Sequence, residues 1–311
     1  MRVAVVGPGA MGLLFTHYFS GAGHRVTLID RDPERAARLN SEGAVFIEGG
    51  RRTPFSVSAT SAIADDFDLF LIAVKTWATK EAAETIKTSP GNRAPVLSIQ
   101  NGIGSGDVIS SALGPDRILL GVTSMGATLL DTGVVRQGGR GPTVIGPHVD
   151  GTAEPPGMTE LFASSGLETS FEDPIAPHIW RKLAVNCAIN PVTAILGGRN
   201  AIVAENPHAA RLAATAATEV ARVAACYGVA LGDEASLAEW VFQVARKTAA
   251  NRSSMGQDID RGGRTEIESI NGAVAALAEA RGIPAPLNKV LTEMVLALTF
   301  GREAGKGTDN G

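Results

Sequence analysis

The chain has 311 residues, of which 44% are hydrophobic, and its formal net charge is −4 at pH 7. A chain of this length is expected to form two domains, because single hydrophobic cores rarely grow beyond about 250–300 residues. The acidic balance argues against nucleic-acid binding, which needs a basic face. The chain has no apolar run of about eighteen residues, and glycines interrupt its apolar N-terminus, so we expect neither a membrane span nor a signal peptide.

The cysteines and histidines point to a reducing compartment and away from a metal site. Cys187 and Cys226 each lie in an apolar helical pattern, which predicts core thiols rather than a disulfide. The five histidines are scattered and show no metal-ligand spacing. We therefore expect a cytoplasmic protein that binds no metal, no membrane and no nucleic acid.

The first motif is a glycine-rich turn between a strand and a helix. The run from Arg2 to Val6 is followed by GPGAMG at 7–12 and then by a helical segment that ends near Ala22. In G-x-G-x-x-G the first glycine allows a tight turn, the second admits a pyrophosphate, and the third packs the helix on the strand. The helix N-terminus adds N–H donors for the phosphates. This context favours a dinucleotide site over a glycine turn without a ligand.

The second predicted strand, Arg25 to Ile29, ends in two adjacent residues of opposite charge. Asp30 stands where an acidic residue usually bonds the ribose 2′-hydroxyl of NAD. Arg31, its neighbour, is the type of residue that accommodates the 2′-phosphate of NADP. The two residues alone leave the choice between NAD and NADP open.

Two further buried strands are predicted at Leu69 to Val74 and at Val96 to Ile99. Polar or glycine residues follow the carboxyl ends of four predicted strands: Gly7, Asp30, Lys75 and Asn101. In open α/β sheets ligands bind outside these strand ends. The four positions together predict a cofactor groove, although Lys75 alone is also compatible with a solvated loop lysine.

The rest of the chain changes from mixed to helical character. Further strands are predicted at 118–124, 133–137, 143–145 and 167–171, with a helix at 154–165 and hairpins at the sheet edge between 138 and 157. Beyond Pro174 the pattern is alanine-rich, and helices are predicted near 176–196, 208–227, 234–250, 264–281 and 286–300. We therefore predict a Rossmann-type α/β domain at 1–173 and an all-α domain at 174–311.

A line of polar residues marks the first helix of the second domain. Lys182, Asn186 and Asn190 recur every four residues in an apolar run, so they share one helix face. Burying a lysine is costly unless an anion or a carbonyl satisfies it, which favours a ligand over a solvated stripe. Pro191 should kink or restart the helix after Asn190.

A second polar cluster lies between two later helices. Residues 252–258 form a predicted polar loop that contains Ser254, and Thr265 is a candidate cap that would place Glu266 in the first turn of the next helix. A glutamate is favoured there by the helix dipole alone, so a purely structural role stays open.

The chain resembles the ketopantoate reductase (2-dehydropantoate 2-reductase) family along nearly its whole length. Six segments carry the resemblance: GPGAMG at 7–12, VKTW at 74–77, QNGIG at 100–104, WRKLAVNCAINPVTAI at 180–195, SSMGQDI at 253–259 and RTEIESING at 264–272. The last three, in this order and separation, are specific to the family. The resemblance implies a Rossmann domain followed by a helical domain like the C-terminal one of 6-phosphogluconate dehydrogenase, with the active site in the cleft between them.

The resemblance also implies an activity and roles for matched residues. The activity is reduction of 2-dehydropantoate to (R)-pantoate, in the pathway to pantothenate and coenzyme A. Lys182 would be the general acid and Glu266 its partner at the developing hydroxyl. Substrate contacts are implied for Asn101, Asn186, Asn190 and Ser254. Cofactor contacts are implied for Gly7, Gly9, Ala10, Met11, Gly12, Asp30, Arg31, Lys75, Asn101 and Glu266.

Three questions stay open at this point. Arg31 favours NADPH, but the carboxylate of Asp30 should repel a 2′-phosphate, so NADH stays possible. The substrate is 2-dehydropantoate or another 2-oxo acid, and a regulatory dinucleotide-binding protein without turnover is a third reading. The general acid Lys182 and its partner residues are all present, which argues against the third reading. The family resemblance allows a monomer or a homodimer.

Overall fold

The computed structural model describes residues 1–89 and 93–300, and the chain divides into two compact units. Of these residues, 1–89, 93–100 and 105–175 form the first unit, and Asn101–Gly104 together with 176–300 form the second. The division after Ile175 lies close to the predicted one at 173/174. The assignment of Asn101–Gly104 to the second unit was not predicted. Among the described helices, none is long and apolar enough to cross a membrane.

Within the described part of the chain, the first unit contains all the strands and five α-helices. Its described strands are β1 (Arg2–Val6), β2 (Arg25–Ile29), β3 (Ala44–Glu48), β4 (Arg51–Phe55), β5 (Ser58–Thr60), β6 (Leu69–Ile72), β7 (Val96–Ser98), β8 (Ile118–Thr123), β9 (Gly126–Asp131), β10 (Val134–Gly139), β11 (Thr143–Pro147) and β12 (Thr169–Phe171). Its helices are α1 (Ala10–Gly21), α2 (Pro33–Glu42), α3 (Thr79–Lys87), α4 (Ser105–Leu113) and α5 (Met158–Ser164).

An eight-stranded sheet lies at the centre of this unit, in the order β12-β11-β8-β7-β6-β1-β2-β5. All neighbouring strands are parallel except β11 and β8, which are antiparallel. Strand β6 is buried along its whole length, as is β1 beyond Arg2, which matches their continuous apolar sequences. From β1 the strand order runs outward to β2 and β5 on one side, and the chain then returns to β6 on the other side of β1. Open α/β sheets bind ligands at such a topological switch point.

A second sheet of four strands, in the order β4-β3-β10-β9, contains most of the strands that the sequence did not predict. Strand β4 was missed because it is an edge strand, RRTPF, whose residues are exposed or half-exposed. The predicted strand at 133–137 belongs to this sheet as β10, paired in a hairpin with β9. The helix predicted from Glu154 begins only at Met158, after Gly157 in the left-handed conformation.

The second unit is helical. Its described helices are α6 (Ala176–Ile195), α7 (Ala201–Glu205), α8 (Pro207–Cys226), α9 (Glu234–Lys247), α10 (Ser254–Asp260), α11 (Asn271–Ala280) and α12 (Pro286–Thr299). Helices α7 and α10 are short and were not predicted. The helix predicted from 264 starts at Asn271, after a 3₁₀ turn at Ile267–Ser269, so Thr265 does not cap it and Glu266 is not in its first turn.

Helix α6 continues through Pro191, contrary to the predicted kink or restart. Proline has no N–H, so the carbonyl of Cys187, four residues earlier, loses its helical donor. The side chain of Asn271 replaces that donor, with Nδ2 3.1 Å from the Cys187 oxygen. Asn271, the first residue of α11, therefore replaces the lost backbone hydrogen bond. This is why α6, with Lys182, Asn186 and Asn190 on one face, is not interrupted at Pro191.

Asn271 belongs to a buried polar cluster that joins α8, α11 and α12. Its Nδ2 also donates to Oδ1 of Asn288 at 2.9 Å, and Asn288 donates to the carboxylate of Glu219 at 2.7 Å. Glu219 additionally accepts the backbone N–H groups of Leu287 and Asn288, both at 2.9 Å. The Glu219 carboxylate of α8 therefore accepts N–H groups at the start of α12 that have no acceptor within their own helix.

The two cysteines differ in their surroundings. Cys187 is fully buried, and burial, with Glu219 adding to it, raises its thiol pKa well above 9.0. Cys226 is exposed at the end of α8, so the expectation of a core thiol was wrong there. The apolar residues Val223 and Ala224 just before it are buried, whereas Ala225 and Cys226 are exposed. Both thiols are free.

Candidate active site

The glycine turn after β1 has the backbone that a dinucleotide phosphate needs. Gly7 has φ +111°, a value that side chains with a Cβ rarely adopt. A Cβ on Gly12 would lie 1.9 Å from the carbonyl oxygen of Gly7, so helix and strand approach as closely as glycine allows. A Cβ on Gly9 would meet nothing closer than 3.8 Å, which leaves its outer side open.

Helix α1 begins directly behind this turn without a side-chain cap. Gly9 is the N-cap residue and has no side chain that could accept from the first-turn N–H groups. Ala10 and Met11, the first helical residues, are half-buried and carry no charge. The free N–H donors, the helix dipole and the open glycine turn together fit a pyrophosphate. The turn therefore fits the phosphates of a dinucleotide.

The carboxylate of Asp30 faces inward rather than into solvent. Its side chain is 0% exposed and accepts two hydrogen bonds from Arg35, Nε at 2.5 Å and Nη2 at 2.6 Å. The N–H of Asp32 donates to it as well, at 3.1 Å. These bonds raise the pKa of the Arg35 guanidinium. The expected repulsion between Asp30 and a 2′-phosphate is therefore offset by a neighbouring cation that the sequence reasoning missed.

Arg31, by contrast, extends into solvent. Its side chain is 73% exposed and its Nη1 lies 2.8 Å from Oε2 of Glu81, at the start of α3. An exposed pair of this kind contributes between about 0.2 and 1 kcal/mol. Arg31 can therefore exchange Glu81 for a phosphate at little cost.

The loop that carries Lys75 is held by Gln100. The Nε2 of Gln100 donates to the carbonyl of Val74 at 2.9 Å and to Oγ1 of Thr79 at 2.8 Å. Lys75 is half-buried and precedes a 3₁₀ turn at Thr76–Ala78. Gln100 was missed as a positioning residue, although it stands at the end of the predicted strand, where the sequence offered a signal.

The polar stripe on α6 is withdrawn from solvent. Lys182 and Asn186 are half-buried and Asn190 is buried, so a solvated stripe does not describe them. The ammonium of Lys182 is more enclosed than the residue as a whole, and this desolvation lowers its pKa from an ordinary 10.5 to about 8. The negative charge of Glu266 acts in the opposite sense and supports the protonated form.

Glu266 lies in the segment before α11, next to the short excursion of the chain at Asn101–Gly104. It is 6% exposed, and Nδ2 of Asn101 lies 3.5 Å from its Oε2. The N–H of Ile103 donates to the carbonyl of Ser269, and a Cβ on Gly102 would lie 2.2 Å from the same oxygen. Only glycine at 102, with φ +83°, lets Asn101 come this close to Glu266.

Ser254 is the first residue of α10 and is exposed. Its neighbour Ser253 is buried, caps the helix through Gly256 N–H, and accepts from Oγ1 of Thr193 at 2.8 Å. Arg252 donates to the carbonyl of Thr193 in the last turn of α6, at 3.1 Å, and to that of Gly198 beyond the helix, at 2.6 Å. The predicted loop is thus a short helix anchored to the end of α6.

The second unit therefore groups five of its six predicted residues in two connected sets. One set shares a face of α6, namely Lys182, Asn186 and Asn190; the other joins Asn101 to Glu266, whose charge acts on Lys182. Ser254 makes no described hydrogen bond to either set. In such a group the lysine with its lowered pKa can donate a proton to a carbonyl oxygen, and the buried carboxylate and three amides can hold polar groups beside it. No group of three metal-ligating side chains occurs among residues 1–89 and 93–300.

Comparison with known proteins adds an independent result. The family model described as Ketopantoate reductase PanE/ApbA matches residues 3–150, and the model for the C terminal part of the same family matches residues 175–299. A 2-dehydropantoate 2-reductase from Halobacterium salinarum is 34% identical over 299 residues, which cover 95% of this chain and 98% of the relative.

Solved structures show the same similarity. The structure of D-mandelate dehydrogenase with NADH and anilino(oxo)acetate has a TM-score of 0.92 at 27% identity, covering 97% of this chain and 99% of that one. A PanE/ApbA family ketopantoate reductase from Ralstonia eutropha has a TM-score of 0.88 at 30% identity, covering 97% and 100%. On the family models and the near full-length relatives, this chain belongs to the ketopantoate reductase family.

Proposed function

We propose that this protein reduces 2-dehydropantoate to (R)-pantoate with NADPH in the cytoplasm, with residues 1–173 binding the dinucleotide and residues 174–311 supplying the acid. The observation that carries the proposal is the desolvated ammonium of Lys182, which shares a helix face with two amides and is supported by the charge of the buried Glu266. Names of relatives across archaea and bacteria agree with this substrate.

The proposed chemistry is proton donation to an oxygen that gains charge. A dinucleotide held at the glycine turn would supply a hydride to C2 of the substrate, and negative charge would then develop on the carbonyl oxygen. Lys182 stabilises that oxygen by its charge and then gives it one proton, leaving a hydroxyl and a neutral amine that water reprotonates. Glu266 holds the ammonium and accepts from the new hydroxyl. The proposed role of Asn186, Asn190, Asn101 and Ser254 is to bind the substrate's hydroxyl and carboxylate.

The lowered pKa suits this role. At about 8, Lys182 is still mostly protonated at neutral pH, yet it releases its proton more readily than an ordinary lysine. A buried carboxylate nearby keeps the charged form present in a site that would otherwise expel it. The lowered pKa of Lys182 and its need for a nearby carboxylate both follow from the enclosure of its ammonium group.

The proposed cofactor is NADPH because of the residues that follow β2. Arg31 is exposed and only weakly paired, while the carboxylate of Asp30 is enclosed with Arg35. Lys75, Asn101 and Glu266 are proposed cofactor contacts beyond the glycine turn.

A second candidate is a reductase for another 2-oxo acid. The similarity to the structure of D-mandelate dehydrogenase with NADH and anilino(oxo)acetate favours this alternative over others. The two candidates share the proton donor and differ in the substrate branch at C3.

The test is a panel of 2-oxo acids assayed by oxidation of NADPH and of NADH. We expect 2-dehydropantoate with NADPH to give the highest kcat/KM. A higher value for an aromatic or unbranched 2-oxo acid would replace the proposed substrate with the second candidate. No turnover with any acid would support a regulatory protein instead.

Lys182→Ala tests the acid within the same assay. We expect kcat to fall by about 10²- to 10⁴-fold while NADPH binding, measured by fluorescence titration, persists. Lys289→Ala, which removes an exposed lysine from α12, is the matched control and should keep full activity. Survival of turnover in Lys182→Ala would show that another group donates the proton.

A further inference from the structure

The end of β2 carries a charge arrangement that the proposed function does not explain. A solvent-facing acid would be expected at the position of Asp30 if it bound a ribose hydroxyl. Instead its carboxylate is 0% exposed, with both oxygens engaged by Arg35 and one also by the N–H of Asp32. A ribose hydroxyl cannot reach it without displacing Arg35.

Arg35 is held so that one of its nitrogens stays available. It donates to Asp30 through Nε and Nη2, in the parallel two-bond geometry that fixes the plane of a guanidinium. Its Nη1 makes no hydrogen bond to any residue in the described parts of the chain, and the side chain is 37% exposed. The pair with Asp30 therefore holds the guanidinium in place and leaves one N–H₂ edge for another acceptor.

The second cation at this corner is Arg31, directly after Asp30 in the chain. Its only described partner is Glu81, across an exposed contact of 2.8 Å. Asp32, the other acid nearby, is occupied as the N-cap of α2 and accepts from the N–H groups of Glu34 and Arg35. Arg35 thus contacts the Asp30 carboxylate directly and Arg31 follows Asp30 in the chain, while Asp32 and Glu81 already have hydrogen-bond donors.

We propose that Arg35 is a specificity-determining residue, whose Nη1 contacts the 2′-phosphate of NADPH together with Arg31, and that Asp30 positions Arg35 instead of binding the ribose of NADH. The proposal rests on the proposed preference for NADPH and adds to it a residue and a reversed role for Asp30. The same acidic residue that the sequence associates with NAD then serves NADP recognition.

The test measures binding of two cofactor fragments to the full chain by calorimetry. Adenosine 2′,5′-bisphosphate carries the 2′-phosphate, and 5′-AMP lacks it. We expect the bisphosphate to bind the unaltered protein more tightly. Arg35→Met should weaken the bisphosphate by about 10- to 100-fold, the range for a lost hydrogen bond to a charged group, and leave 5′-AMP within about twofold.

A double variant separates contact from charge neutralisation. Arg35→Met alone leaves Asp30 buried without its cation, which can weaken both the fold and phosphate binding. Asp30→Asn combined with Arg35→Met removes both charges. If Arg35 contacts the phosphate, the double variant stays weak; recovery of the original affinity would overturn the contact. Arg38→Met, which removes an exposed cation from the same helix, is the control and should bind normally.

Asp30→Asn alone tests the reversed role. We expect its affinity for 5′-AMP to be unchanged, whereas a loss of tenfold or more would mean that Asp30 bonds the ribose and would overturn the proposal. If the unaltered protein binds both fragments equally, the NADPH preference and this proposal fail together. If the fragment results hold but 2-dehydropantoate is not reduced, only the proposed substrate fails.

Discussion

Replacing Lys182 by Met should make the protein more stable while it abolishes reduction. The difference between an ordinary lysine pKa of 10.5 and about 8 corresponds to about 3 kcal/mol, at about 1.4 kcal/mol per pH unit. That value is an upper bound because the residue is only half-buried and water screens part of the cost. Methionine keeps the length and apolar volume of the lysine stem without the charge. At pH 7 we therefore expect a gain of about 1–3 kcal/mol in the free energy of unfolding.

The pH dependence fixes the sign of this effect. Below about pH 8 both native and unfolded chains hold the proton, so the native protein bears the full cost of the charge. Between about 8 and 10.5 only the unfolded chain keeps it, so the original protein gains stability relative to the variant as the pH rises. The advantage of Lys182→Met should shrink to no more than about 1.4 kcal/mol at pH 9.5.

Urea unfolding followed by tryptophan fluorescence suits the measurement, because Trp180 and Trp240 both lie in the second unit. Lys289→Met, at an exposed position, controls for the loss of a lysine and should stay within about 0.5 kcal/mol. A variant Lys182→Met that is less stable at pH 7, or whose advantage does not change with pH, would refute the desolvation of Lys182.

Three further outcomes follow from the site. The kcat/KM for the 2-oxo acid should fall above about pH 8, approaching tenfold per pH unit, as Lys182 loses its proton; a profile flat to pH 10 would exclude it as donor. Glu81→Gln should lower the KM for NADPH by about two- to fivefold by freeing Arg31, with NADH unaffected; an unchanged KM would mean that the pair does not compete. Gly12→Ala places a methyl group against the Gly7 carbonyl and should weaken NADPH at least about tenfold in fluorescence titration; unaltered affinity would contradict the closely packed turn.

The buried elements of the fold were predictable from the sequence, whereas those at the edges were not. Strands β1 and β6 are apolar along almost their whole length because both faces are covered, and their positions were predicted to within about two residues. Strand β4 carries adjacent arginines and a proline, and only its pairing with β3 makes it a strand. The passage of α6 through Pro191 depends on Asn271, which is 84 residues from Cys187 in sequence and thus beyond any local pattern.

The candidate site was likewise predictable from the sequence only in part. Helical spacing alone placed Lys182 and Asn190 on one face of α6. The enclosure that lowers the pKa of Lys182, and the position of Glu266 outside any α-helix, depend on contacts between distant segments. At Asp30 the sequence predicted the strand end but not the ion-pair partner, because Arg31 next to it and Arg35 four residues after Arg31 are equally basic.

The course of the chain at Asn101–Gly104 bears on how this protein can be taken apart. The chain enters the second unit at Asn101, leaves it after Gly104 and returns at Ala176, so neither unit is one uninterrupted length of chain. A fragment that starts at Ala176 lacks the residues that pack on Ser269 and hydrogen-bond Glu266. A chimera that exchanges helical units between relatives must therefore also exchange Asn101–Gly104. Otherwise Glu266 will face the corresponding loop of a different protein.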